Sequence, residues 1–339
     1  MRVIGAPFSS AGRMDHEALA PKALRDAGLI ERLRAALGPD EPVTDGGNVA
    51  IGTSAACDHR DGHSGLRSLP GLEAVTATTR SAVAATLLDG DRPLVLGGDC
   101  AILPGCLRGA QDALGDDQVG LLFIDGHEDA WPPHESDTGE AADSELGFLL
   151  GQHREQLPAS LESQFPVLDE SAVVALGPRD GAEIAGASDV PSLAERIRLI
   201  TARQLTIGED SAAEYARKAL ARIRAHAAHW WLHIDLDVLS SDALDAVSYP
   251  QPGGLDWNQL SELAATALGE PGCVGITVCV YDPDRDPDGT GAQRILDWVG
   301  SLLTTCPPAS PPPKSTDRPM SEAAIWANMT PCPTNPTAP

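Results

Sequence analysis

The sequence predicts an α/β protein with three layers, α/β/α, built on a mostly parallel sheet. Three observations carry that prediction. Short apolar runs alternate with longer stretches of helical spacing, the pattern of βα units whose sheet is covered on both faces. Apolar residues make up 42% of the 339 residues, enough for a sizeable core. Aromatics are only 4%, and the abundant Ala and Gly imply a core of small aliphatic side chains.

The predicted elements follow in order. Strands fall at 2–6 (Arg-Val-Ile-Gly-Ala), 93–96 (Pro-Leu-Val-Leu), 120–124 (Gly-Leu-Leu-Phe-Ile) and 172–176 (Ala-Val-Val-Ala-Leu). Three more fall at 198–200, 230–234 (Trp-Trp-Leu-His-Ile) and 273–280. Between them, 20–37, 73–88, 103–114, 211–226 and 258–268 carry apolar residues at helical spacing and are predicted helices. No internal repeat interrupts this order. From Pro307 to Pro339 the composition changes abruptly, with ten prolines and one Trp, Trp326. The expected organisation is a globular unit over 1–303 and a Pro-rich, disordered tail over 304–339, available as a partner-binding strap.

A formal charge of −25, from 49 acidic and 24 basic residues, repels phosphate backbones and excludes nucleic acid and anionic membrane as expected partners. No stretch approaches the ~20 apolar residues of a membrane span. The opening residues 1–7 have too short an apolar run for a signal peptide. Seven cysteines form no CxxC pair, which suits free thiols in a reducing compartment. The expected location is the cytoplasm.

Ligands of parallel α/β sheets sit beyond the carboxyl ends of the strands. Three such ends are rich in polar residues. Gly97-Gly98-Asp99-Cys100 turns tightly out of one strand. Ile124 runs straight into Asp125-Gly126-His127-Glu128-Asp129, where extended backbone would put Asp125, His127 and Asp129 on one face. A third run ends His233-Ile234-Asp235-Leu236-Asp237. Four carboxylates and one imidazole gathered there would repel one another without a cation. Carboxylates with His suit Mn²⁺, Fe²⁺, Co²⁺ or Zn²⁺. Two such ions ~3.5–4 Å apart would activate a shared water as nucleophile. The plainer alternative is a set of caps and turn residues in βα loops.

With these motifs in place, the chain resembles the arginase/agmatinase (ureohydrolase) superfamily from its first strand to about Val299. Ile4-Gly5-Ala6-Pro7-Phe8-Ser9 and the stretch from Ala20-Pro21 to Ala27-Gly28-Leu29 are similar to the family's N-terminal segment. Gly97-Gly98-Asp99-Cys100 is similar to Gly-Gly-Asp-His, 125–129 to Asp-Ala-His-x-Asp, and 233–237 to Ser-x-Asp-x-Asp. Pro252-Gly253-Gly254-Leu255 matches the turn that follows. The resemblance implies an arginase-like fold, with Asp125, His127, Asp235 and Asp237 holding one ion. Cys100, Asp125, Asp129 and Asp235 would hold the other, and Asp129 would also orient the attacking water. Mn²⁺ is the ion implied by resemblance, one or two per chain; the thiol of Cys100 brings Zn²⁺ or Fe²⁺ into play. A trimer or hexamer is likewise implied.

Three departures stand out. Cys100 replaces a family histidine. Val280 occupies the position of the glutamate that clamps a guanidinium, a role valine cannot fill. Ala142 stands where the family has a proton-shuttling His, within Thr138-Gly139-Glu140-Ala141-Ala142-Asp143. The arginine-selective Asp after Gly-x-Arg-Asp is also missing, since Arg179-Asp180 continues with Gly181-Ala182. His134, on the loop past the metal motif, is the candidate replacement acid, with an exposed loop histidine as the alternative. Thr138, Glu140 and Asp143 are candidate contacts for a cationic substrate, with caps or solvated acids as the alternative. Trp131 is a candidate apolar wall. The segment 57–63, with Cys57, His59 and His63, is expected to be an active-site lid rather than a separate metal site. The expected activity is hydrolysis of a C–N bond in a small amidine, guanidine derivative or amide, not arginase activity itself. The alternatives are a catalytically silent binding or scaffold protein and a purely structural metal site.

Overall fold

The computed structural model describes residues 1–52, 57–115, 118–187 and 190–305. Eight strands form one sheet: β1 (Arg2–Ala6), β2 (Thr44–Asn48), β3 (Pro93–Gly97), β4 (Val119–Ile124), β5 (Val173–Leu176), β6 (Arg198–Ile200), β7 (His229–Asp235) and β8 (Cys273–Cys279). Their order is β2-β1-β3-β8-β7-β4-β5-β6, and every pairing is parallel. All residues of β3, β4, β5 and β8 are buried, as a sheet covered by helices on both faces requires. The expected three-layer α/β/α architecture is therefore the observed one.

The chain order reverses in the middle of the sheet, where β8 lies between β3 and β7. Such a switch opens a crevice at the carboxyl ends of the strands. The predicted metal-site residues lie at the end of β7 (Asp235) or just beyond β3, β7 and β4, and Val280 follows β8 directly. Two glycines make the β3 exit possible. A Cβ on Gly98 would stand 1.9 Å from the Phe8 carbonyl oxygen, and one on Gly97 would stand 2.5 Å from Cys279 Sγ.

The differences from the sequence reading have local causes. β2 was not predicted because its residues, Thr-Asp-Gly-Gly-Asn, are all exposed and carry no apolar pattern. Polar, Gly-rich edges are a common protection against further strand pairing. The single helix expected over 20–37 is two, Ala20–Asp26 and Leu29–Leu37, because Gly28 takes φ +100° between them. The helix expected at 73 begins four residues earlier, as Leu69–Leu88 with Pro70 in its first turn. Helix Leu103–Leu114 has the predicted bounds, while Ser211 and Asp256 are the N-caps of Ala212–Arg224 and Trp257–Gly269. A final helix, Thr290–Thr305, was not predicted; it buries Ile295, Leu296, Trp298, Val299, Leu302 and Leu303. The Pro-rich segment from 306 onward lies outside the described residues.

Candidate metal centre

The loop after β4 turns sharply. Asp129 adopts φ +45°, so the convergence of Asp125, His127 and Asp129 comes from a turn and not from the strand alternation expected. The turn is tightly held. The His127 N–H donates to Asp125 Oδ1 (2.8 Å), Gly126 N–H to Asp237 Oδ1 (3.1 Å), and Glu128 N–H to Asp180 Oδ2 (3.0 Å). After β7, the Asp237 N–H donates to Asp235 Oδ1 (2.8 Å), which fixes that carboxylate pair in register.

Three groups of donors share Asp125. On one side stand Asp125, His127 and Asp237; on the other, Cys100, Asp125, Asp129 and Glu145. Within each group the donor atoms lie within 4.8 Å of one another. Cys100 Sγ is 3.9 Å from Asp129 Oδ2. Asp235 groups with Asp125 and His233. His233 is fully buried, stacks on Phe123 at 4.9 Å, and bonds Thr277 Oγ1 through Nδ1 (2.7 Å). Its Nε2 faces Asp125 Oδ2 at 3.9 Å, and burial lowers its pKa to about 3, so the ring is neutral.

The donor set fits a divalent cation. Burial, reinforced by neighbouring carboxylates, pushes Asp125, Asp129 and Asp235 well above the usual carboxylate range. Burial acts on Asp237 in the same direction, but His127 and Arg179 outweigh it and hold that carboxyl low. Asp125 Oδ2 is buried with no hydrogen-bond partner. Burial pushes the Cys100 thiol up as well, so it stays protonated unless a cation draws off the proton. A cation at this point relieves every one of these costs at once.

These groups form the floor of a cavity of about 340 Å³. Among the described residues its lining includes twelve carboxylates and one imidazole, with no Lys or Arg. Trp131, Thr138, Glu140, Asp143 and Val280 all line it. Thr138 and Asp143 spend their hydrogen bonds on the loop itself: Thr138 Oγ1 donates to Asp143 Oδ2 (2.6 Å), and Ser136 Oγ also binds Asp143. Glu140 makes no such bond. Its burial and the nearby Asp143, Asp99 and Glu17 raise its pKa to about 8.

His134 is not brought into the site. It is exposed, lies outside the cavity lining, and its Nε2 is bonded to the His63 carbonyl (2.9 Å). The segment 57–63 braces the loop and forms no metal cluster among the described residues. Arg60 donates to the carbonyls of Gly65 (2.7 Å), Pro133 (2.5 Å) and Ser136 (2.9 Å). Four residues of the site escaped the sequence reading as site residues. Tyr249 meets His127 edge-on at 6.4 Å, Glu183 lines the mouth just past the missing selectivity Asp, and Glu145 and His233 adjoin Asp125. Only His233 left a signal, since it alternates with Asp235 along β7.

Fold and donor set together define a three-layer α/β/α protein with a carboxylate-rich candidate dinuclear centre at its strand ends. The chain belongs to the arginase family, whose sequence model matches residues 1–303. It is 27% identical over 304 residues to an arginase of Bacillus caldovelox, covering 89% of this chain and 97% of that protein. The solved structure of that arginase superposes with a TM-score of 0.76 at 23% identity, over the same shares of the two chains. An arginase of Staphylococcus aureus (strain MRSA252) is 30% identical over 178 residues, which span 52% of this chain and 56% of that protein. The proclavaminate amidino hydrolase of Streptomyces clavuligerus superposes with a TM-score of 0.61 at 20% identity, covering 90% of each chain. The family is one of hydrolases acting on non-peptide C–N bonds.

Proposed function

We propose that this chain is a metal-dependent hydrolase that cleaves a C–N bond of a cationic amidine or guanidine derivative, or of a related amide, and that it is not an arginase. The observation that carries the reading is the pair of donor groups sharing Asp125 on the floor of the cavity. Asp125, His127 and Asp237 would hold one ion, and Cys100, Asp125 and Asp129 the other, with Asp235 beside the shared carboxylate. Bound there, divalent ions supply an activated water and polarise the carbon under attack. Mn²⁺ follows from the family, and Zn²⁺ or Fe²⁺ from the thiol of Cys100.

The chain's own residues shape the rest. Asp129, held at φ +45°, would orient the attacking water, the role the family resemblance implies. Glu140, largely un-ionised at neutral pH, can give a proton to a departing amine or ionise against a substrate cation. Trp131 forms one wall. With no basic side chain in the lining, a substrate carboxylate would find no partner, which favours a substrate without one. Val280 leaves the guanidinium clamp absent, which separates this site from arginine hydrolysis. The same valine, with Ala142, favours one second reading, a silent protein that binds such cations without turnover.

Ammonia and urea release should be measured from a panel of amidines, alkylguanidines and amides, with the protein loaded with Mn²⁺, Zn²⁺ or Fe²⁺. Turnover of a carboxylate-free member above that of arginine supports the hydrolase. Tight binding of such cations with no release under any loading supports the silent reading. We carry with this proposal a cytoplasmic location and a homo-oligomer, a trimer or hexamer by family likeness; no helix among the described residues is long and apolar enough to cross a membrane.

A further inference from the structure

A glutamate opens the short helix Glu145–Leu149 inside the protein. Glu145 is 1% exposed, and Leu146, Phe148 and Leu149 beside it are fully buried. Both of its carboxylate oxygens are buried and meet no N–H donor; the groups near enough to share a proton with them are the carboxyl of Asp129 and the thiol of Cys100. Five residues of helix offer too small a dipole to offset that. Isolated buried carboxylates are paired, protonated or bound to metal. The donors that Glu145 meets are Cys100, Asp125 and Asp129, none of them a cation.

We propose that Glu145 is a metal ligand and that, with Cys100, Asp125 and Asp129, it forms a four-donor site for a divalent ion of borderline softness. The inference rests on the dinuclear reading above and gives the Cys100 side a donor that the family resemblance does not supply. Donors ~2.0–2.3 Å from one ion lie at most ~4.6 Å apart. The four ligand atoms stand within 4.8 Å of one another, so shifts of a few tenths of an ångström would bring them within that limit. Ala142 helps create this arrangement. Its carbonyl oxygen lies 3.6 Å from Cys100 Sγ, bringing the segment that leads to Glu145 against the thiol. A thiolate and an added carboxylate thus take over where the family has an imidazole. On loading, the Cys100 S–H bond breaks, Sγ bonds the ion and the proton leaves to solvent. Sulfur in the donor set favours Zn²⁺ or Fe²⁺ over Mn²⁺ at this site.

The test compares the wild-type chain with Glu145→Gln after dialysis against Zn²⁺, reading zinc per chain and the melting temperature with and without metal. One ion fewer in E145Q, with a metal-free melting temperature at or above wild type, is the expected result, because the variant removes a carboxyl group whose ionisation burial and Asp125 oppose. Equal, non-zero zinc in both proteins overturns the assignment. So does a metal-free E145Q that melts below wild type, the mark of a proton shared between Glu145 and Asp129. No zinc in either protein contradicts the metal-dependent reading itself. If E145Q does not fold, an anomalous map of the zinc-loaded wild-type crystal decides. A Glu145 oxygen ~2.0–2.2 Å from an ion supports the proposal, and one beyond ~3 Å overturns it.

Discussion

His127 Nδ1 stands 3.0 Å from Asp237 Oδ2, joining the loop after β4 to the turn after β7. Two donors at ~2.1 Å from one ion and at right angles to each other lie ~3.0 Å apart. The contact is a charge-assisted hydrogen bond in this structure and would be a ligand–ligand spacing if the two residues held one ion, as proposed. Little would then need to move for an ion to enter. Arg179 supports it from behind, donating to the Asp237 carbonyl (2.6 Å).

Asp125→Asn and Asp235→Asn should each lose metal. At metal concentrations 100-fold above Kd the wild-type chain gains ~2.7 kcal/mol of stability. Both variants should show no such gain in thermal unfolding, and Asp125→Asn should also raise metal-free stability by relieving carboxylate repulsion. Retained wild-type metal content in either variant would sink its assignment.

Glu140 predicts a pH dependence. Its folded pKa, about 8, lies above the ordinary 4.5, because burial and then Asp143 disfavour the ionised form. The stability it contributes is complete below pH ~4.5 and is lost as pH rises through ~8. Melting of the ligand-free wild type should therefore fall relative to Glu140→Gln between pH 5 and 9. Parallel curves over that range would contradict the placement of this side chain.

Val280 lines the cavity at φ +63°, a strained conformation for a β-branched residue, with its N–H bonded to the Gly98 carbonyl (2.7 Å). Val280→Glu replaces it with an unbranched carboxylate. A charge-assisted bond of ~1.5–3 kcal/mol should tighten an alkylguanidine probe about tenfold or more by calorimetry. An unchanged Kd would mean that this position does not face the substrate.

Arg60→Ala removes three bonds to carbonyls, two of them (Pro133 and Ser136) in the loop around residues 133–139 and one (Gly65) in the segment packed on it. The expected loss is ~2–4 kcal/mol in urea unfolding, with faster amide exchange concentrated in that loop. A loss spread evenly over the chain would argue against a local brace.

Much of this arrangement was legible in the sequence because buried parallel strands are read from their apolar runs. Their polar exits are conspicuous against that background, and Cys100, Asp125, His127, Asp129, Asp235 and Asp237 all stand at such exits. What escaped has physical reasons. β2 pairs through its backbone alone, so its side chains carry no pattern. Glu145 lies within an apolar helix, where one acid looks like a first-turn residue. His134 has the chemistry of a proton donor, yet its ring is held by the His63 carbonyl, a contact across 71 residues that no local spacing reveals.

The most direct test of a dinuclear metal-dependent hydrolase is metal content per chain by elemental analysis. Protein purified without added metal should be compared with protein dialysed against Mn²⁺ and against Zn²⁺. The donor groups sharing Asp125 predict two ions per chain under at least one loading. No bound ion under any of them would contradict the account.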